Sequence, residues 1–220
     1  SLTEMESNSN GNAKQPIDLV VCSPLTRCLQ TASFVFPNFR QMYCHGDIRE
    51  AYGMHLTNGI LFNHESPRRG SNFVTNKVVM GAVRIKLGLQ DKLELGNMDS
   101  YRDWGHSYDY VRAMHLMMQQ DKPGDWIVST METHSVREMC ELVFNHLGMD
   151  YKDWVVQNPK FMRPEELPYL KGDSTKIRTE LGWKPTYTFK EMMEEMVDYW
   201  LEYYKKSKHC KFITQDPFLN

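Results

Sequence analysis

Residues 58–70 read Asn58-Gly-Ile-Leu-Phe-Asn-His-Glu-Ser-Pro-Arg-Arg-Gly70. Ile60, Leu61 and Phe62 form an apolar run too short for a helix. It ends in a polar, proline-bearing turn, and together these are the signature of a buried strand. The run Asn58 to Asn63 therefore predicts a strand, and His64 to Gly70 a turn at its end. Strand ends in open α/β sheets are where ligands bind.

Working outward, strands and helices alternate. Asn72 to Leu87 carries Phe73, Val74, Val78, Ala82 and Ile85 at helical spacing, with Gly88 placed to end the helix. Leu93-Glu94-Leu95 reads as a short strand, Tyr108 to Met118 as a helix with Ser107 as its N-cap, and Trp126 to Ser129 as another strand. Ser135-Val136-Arg137-Glu138 is a capping box that starts a helix with Met139, Leu142, Val143 and Leu147 turned inward before Gly148. Trp154 to Val156 reads as a strand. A second box, Thr188 to Glu191, opens the last helix, whose Met192, Met193, Met196, Val197, Trp200 and Leu201 form one core stripe. Alternation from Asn58 to Tyr204 predicts an α/β fold. Upstream, Asp18 to Cys22 has strand chemistry and Leu25 to Phe36 is helix-compatible until Pro37. Residues 1–17 and 207–220 read as tails.

Composition excludes several classes. Of the 220 residues, 25% are charged and 41% hydrophobic, with a net charge of −2, so there is no diffuse positive field to collect nucleic acid. The longest apolar runs are far short of the ~20 residues that span a bilayer. Without a secretion signal in the sequence, a cytoplasmic location is expected. The five cysteines form no Cys-x-x-Cys pair and read as free thiols. No two of the eight histidines stand four apart, and no metal is expected.

The 58–70 stretch closely resembles the GDP-mannose 4,6-dehydratases, a branch of the extended short-chain dehydrogenase/reductases. The likeness continues in the family's order through Phe73-Val74-Thr75, Lys77, Leu95-Gly96-Asn97, Arg102-Asp103-Trp104-Gly105-His106, Asp109-Tyr110-Val111, His134 to Glu138, Arg163-Pro164 and Leu181 to Pro185, and covers Arg49 to Tyr204. It implies the C-terminal part of a Rossmann-like doubly wound fold, carrying a lobe that binds GDP-mannose beside NADP. By position, Asn63, Val74, Lys77, Arg102, Arg163 and Glu166 are implied as GDP-mannose contacts, and His64 and Arg69 as NADP contacts. A diphosphate needs several converging donors, and arginine offers a planar fork for them. A lone surface Arg or Lys is usually a solvated charge, so the weight lies in their joint occurrence at these spacings. Trp104 and His106 read as core and helix-entry residues. Two positions depart from the family pattern: Asn76 stands where an Arg is usual, and Met131 where a Gly is usual.

The dinucleotide half of such a fold is missing. Neither G-x-G nor G-x-x-G occurs, so there is no glycine-rich turn to approach a pyrophosphate. Tyr204 to Lys208 is the one Tyr-x-x-x-Lys, and it lies in the last helix. The family's chemistry needs such a pair, with a Thr and a Glu upstream, and no catalytic residue is assigned. Asp18 to Ala32 resembles instead an internal motif of the histidine phosphatase superfamily, in which Arg27 would hold phosphate, but the Arg-His-Gly nucleophile element is absent. The organisation read from the sequence is thus a fragment of that kind over 18–48 and a dehydratase-like substrate lobe over 49–206. The resemblance implies, first, a GDP-mannose 4,6-dehydratase-like protein converting GDP-mannose to GDP-4-keto-6-deoxymannose, inactive as this chain alone and working in a homo-oligomer or with a complementing chain. The second reading is a non-catalytic nucleotide-sugar-binding module. A phosphatase remnant is the third reading.

Overall fold

The computed structural model describes residues 49–50, 52–162 and 167–209. The strand and helix expected at 18–36, Arg27, Arg163, Glu166 and the two outer tails lie outside the described residues.

The strand expected at Asn58–Asn63 is two strands. β1 (Asn58–Leu61) lies parallel to β6 (Asp125–Val128), and β2 (Asn63–Glu65) lies parallel to β5 (Trp104–His106). Phe62 is the break: its N–H still donates to the Val128 carbonyl at 3.0 Å, after which the chain changes partners. This switch carries Asn63, His64 and Glu65 away from β6 and onto β5. β3 (Leu93–Leu95) pairs in parallel with β8 (Val155–Gln157). β4 (Tyr101–Arg102) runs antiparallel to β7 (His134–Ser135) and parallel to β9 (Tyr169–Leu170).

Five helices complete the layers: α1 (Val74–Lys86), α2 (Ser107–Met118), α3 (Val136–His146), α4 (Thr175–Leu181) and α5 (Phe189–His209). Both capping boxes form. Ser135 Oγ accepts from Glu138 N at 3.0 Å, and Glu191 Oε2 accepts from Thr188 N at 2.8 Å. Gly88 closes α1 at a φ of +67°, a backbone conformation that glycine adopts without steric cost. The N-cap of α2 corrects the expectation: His106, not Ser107, caps it, with its Nδ1 accepting from Tyr108 N at 3.1 Å. Ser107 turns away and donates from Oγ to the Glu65 carbonyl at 2.9 Å.

Two apolar clusters hold these layers. The larger gathers α1, α3 and α5 over β3, with Val79, Val83, Met139, Phe144, Met193 and Val197 fully buried. The methionine stripe is core, as expected. The smaller packs α2 and α4 on one face of β1–β6 through Ala113, Met117, Trp126, Val128, Ile177 and Trp183. Tyr204 packs into the larger cluster against Trp200, which gives it a structural place on α5. Among the described residues no helix is long and apolar enough to cross a membrane.

Candidate functional site

The end of β2, the 66–70 turn and the start of α1 form one side of the site. Asn63 donates from Nδ2 to the Asp103 carbonyl at 3.2 Å. Asp103 is fully buried, and its carboxylate accepts from Thr130 N at 2.8 Å, Thr130 Oγ1 at 2.7 Å and Met131 N at 3.0 Å. One acid therefore fixes the loop after β6 and, through its own backbone, the side chain of Asn63. The neighbouring Arg102 donates from Nη1 to the carbonyls of Tyr101 at 2.8 Å and Leu167 at 2.7 Å.

Lys77 projects from the first turns of α1 over the Phe161 ring, with Nζ 4.2 Å from the centroid. Burial pushes its ammonium below the usual lysine range, while the charge of Glu94 opposes that shift. Phe161 comes close because residue 96 is glycine: a Cβ there would stand 2.3 Å from the Phe161 carbonyl oxygen. Lys77 and Arg102 thus touch the two flanks, Phe161 and Leu167, of the stretch that bears Arg163 and Glu166.

Arg69 lies in the turn with its guanidinium carbon 3.5 Å from the centroid of Phe73, and Val74 begins α1 one residue later. Arg69 Nε is 3.2 Å from Glu65 Oε2. His64 takes another direction: its Nδ1 is 3.1 Å from the Phe62 carbonyl, and its ring centroid is 5.2 Å from that of Tyr110. The two residues implied for NADP therefore have separate surroundings, one against Phe73 and one against Tyr110. Burial raises the Tyr110 phenol well above its ordinary range, with the Asp103, Glu65 and Asp109 carboxylates adding to the effect.

Residues 41–196 match the family model described as GDP-mannose 4,6 dehydratase. The chain belongs to the GDP-mannose 4,6-dehydratase family. It is 51% identical over 160 residues to GDP-mannose 4,6 dehydratase 1 of Arabidopsis thaliana, covering 73% of this chain and 44% of that one. It is 45% identical over 168 residues to the Homo sapiens GDP-mannose 4,6 dehydratase, covering 69% and 45%. The chain thus spans about half the length of the curated relatives it matches. In fold it is similar to RMD from Pseudomonas aeruginosa complexed with NADPH, at a TM-score of 0.66 and 24% identity, covering 71% of this chain and 52% of that one. It is also similar to dTDP-glucose 4,6-dehydratase from Bacillus anthracis in complex with NAD, at 0.62 and 21%, covering 72% and 48%. These likenesses establish the α/β fold as the C-terminal part of a Rossmann-type fold. The family match begins at residue 41, ahead of Arg49, where the resemblance read from the motifs starts.

In this dehydratase-family lobe, Trp104 and His106 prove to be core and helix-entry residues, as their sequence context implied. Asn76, the departure from the family's Arg, is fully buried. Its Nδ2 donates to the Arg69 carbonyl at 2.5 Å, and its Oδ1 accepts from Trp200 Nε1 at 2.8 Å, so it ties the turn to α5. Met131, the departure from Gly, has a φ of +66°, a conformation glycine adopts freely and methionine does not. Sequence reasoning missed Glu65 and Asp103. No local signal marked the first, since Glu65 follows the polar Asn63 and His64 and is buried only by partners from α1 and α2. A groove of about 470 Å³ lined by His134, Glu138, Leu142 and Phe189 shares none of the implied contacts.

Proposed function

We propose that the chain is the nucleotide-sugar lobe of a GDP-mannose 4,6-dehydratase. It holds GDP-mannose through Asn63, Val74, Lys77, Arg102, Arg163 and Glu166, and offers His64 and Arg69 to NADP. The supporting observation is that Lys77 and Arg102, from different elements, contact both flanks of the segment carrying Arg163 and Glu166. Cations brought together from different elements suit a diphosphate, whose oxygens need several donors at once. Glu166 then accepts from a sugar or ribose hydroxyl. The donor set fits an outer phosphate of NADP, through the Arg69 guanidinium, with His64 on the nicotinamide side. NADP supplies hydride exchange when bound, and the residues of this chain bind and orient.

The whole family's reaction turns GDP-mannose into GDP-4-keto-6-deoxymannose, on the route to GDP-fucose. Removing a general base and its partners costs several powers of ten in rate, so turnover needs a chain that brings the glycine-rich turn and the Tyr–Lys pair. The second reading is a nucleotide-sugar-binding module without catalysis, in which the same residues hold GDP-mannose alone. The same reading assigns 49–206 to the lobe and 18–48 to a histidine-phosphatase-like remnant, for which no phosphomonoester hydrolysis is expected.

Calorimetry of the full chain with GDP-mannose, without NADP, tests the lobe: micromolar binding supports it and no binding overturns it. Adding the separately produced N-terminal half of the Arabidopsis relative then separates the two readings. NADP-dependent conversion supports the complemented enzyme, whereas binding without conversion supports the module.

A further inference from the structure

Glu65 is an acid in an unusual place. It ends β2 with 2% of its surface exposed, in the middle of the segment that bears the implied NADP contacts. Three elements converge on it. Thr75 Oγ1 of α1 donates to Glu65 Oε2 at 2.6 Å, Arg69 Nε of the turn lies 3.2 Å from the same oxygen, and Ser107 of α2 holds the Glu65 carbonyl at 2.9 Å.

The consequence falls on Arg69. Its backbone carbonyl is held by Asn76, its guanidinium carbon lies 3.5 Å from the centroid of the Phe73 ring, and its Nε is ion-paired with Glu65 Oε2 at 3.2 Å without hydrogen-bond geometry. An arginine carries five N–H donors in a rigid planar fork. The ion pair at Nε and the Phe73 ring restrain the fork by charge and packing, and four of those donors lie on the two terminal nitrogens. Held by ring, carbonyl and carboxylate together, the fork is aimed before any ligand arrives.

We propose that Glu65 is the positioning residue for Arg69, setting the direction in which its guanidinium meets a ligand phosphate. This rests on reading Arg69 as a phosphate contact. The groups facing Glu65 are few: Arg69 from the turn, the Tyr110 phenol from α2, and the neutral Thr75 from α1. His106, its register partner on β5, is directed instead to Glu195 at 3.0 Å. Burial pushes the Glu65 carboxyl up to about 7, against the lowering effects of the Thr75 hydrogen bond and the Arg69 charge. The clamp on Arg69 is therefore fully charged only above that pH.

The test follows the Arg69 Nε–Hε resonance of the full chain by NMR from pH 6 to pH 8.5, assigned with Arg69→Lys. The resonance is expected to titrate with a midpoint near 7 and to stay flat in Glu65→Gln. Thr75→Val, which removes a bond favouring the charged carboxyl, shifts the midpoint upward and gives a second readout that needs no change at Glu65. A resonance that does not titrate in the unaltered chain overturns the positioning role. NADP is then added at pH 8. Glu65→Gln is expected to weaken NADP binding, read from the perturbation of Arg69, by about tenfold in affinity, ~1.4 kcal/mol. A titrating resonance that NADP leaves untouched supports the positioning role and overturns the phosphate reading of Arg69.

Discussion

The two apolar clusters differ in how they are closed. The larger is enclosed by α1, α3 and α5, and its residues meet others of the same cluster on every side. The smaller covers a single face of the β1–β6 pair. Leu61, Trp126 and Val128 point into it, while Ile60 and Ile127, paired in register, point the other way. Ile60 remains 39% exposed, and β1 has no second strand partner among the described residues. Parallel strands are ordinarily covered on both faces by their crossover helices, so β1–β6 reads as the place where the remaining half of a doubly wound fold would join. Self-sufficiency belongs to the region around α1, which also bears Val74 and Lys77. Incompleteness belongs to the sheet.

The strongest way to break this comparison is to cut a side chain from each region. Phe144 is fully buried in the larger cluster, and Phe144→Ala should cost about 3–5 kcal/mol through lost burial and the cavity left behind. Ile60→Ala, on the uncovered face, should cost about 1 kcal/mol or less. Urea unfolding of both variants checks the difference. Equal losses would mean that the β1–β6 face is as well covered as the helical core.

Glu65 links the two regions, since its carboxylate is held from α1 and its carbonyl from α2. Its folded pKa is raised from 4.5 to about 7, so between these values the folded chain binds more protons than the unfolded one. Stability therefore falls as pH rises through this window and levels off above it. The loss is about 3 kcal/mol at most for a shift of this size. Measured from pH 4.5 to 8, Glu65→Gln should remove this component of the slope. An unchanged slope in the variant would place the titration on another group and loosen the link between the regions.

How much was legible follows the same division. The helices of the enclosed region announced themselves because their caps and stripes are local: Ser135 with Glu138, Thr188 with Glu191, and the Met192 to Leu201 face. The short strands did not. Tyr101–Arg102, His134–Ser135 and Tyr169–Leu170 are two residues each, mix aromatic with polar side chains, and exist only because Tyr101 finds Ser135 and Tyr169 far along the chain. α4 went unread because it is only seven residues long and ends where the Leu181 to Pro185 motif, which drew the attention, begins. At the site, the cations stood out because arginine and lysine in a conspicuous motif invite a ligand. Glu65 was passed over because its burial depends on Thr75 and Ser107, which become its neighbours only after α1 and α2 have packed.

The smallest expected effect concerns the loop between β6 and β7, which leads from the incomplete sheet toward α3. Met131 holds a φ of +66° there, and its N–H donates to Asp103 Oδ2 at 3.0 Å. A non-glycine residue in this conformation costs about 1–2 kcal/mol, while glycine adds about 0.5–1 kcal/mol of unfolded-state entropy. Met131→Gly should therefore stabilise the chain by up to about 1 kcal/mol while keeping the bond to Asp103. Thermal unfolding reads this as a rise of a few degrees at most. A fall instead would show that the Met131 side chain, half-buried in this loop, contributes more by packing than its backbone loses by strain. The departure from the family's glycine would then strengthen the junction between the sheet and α3.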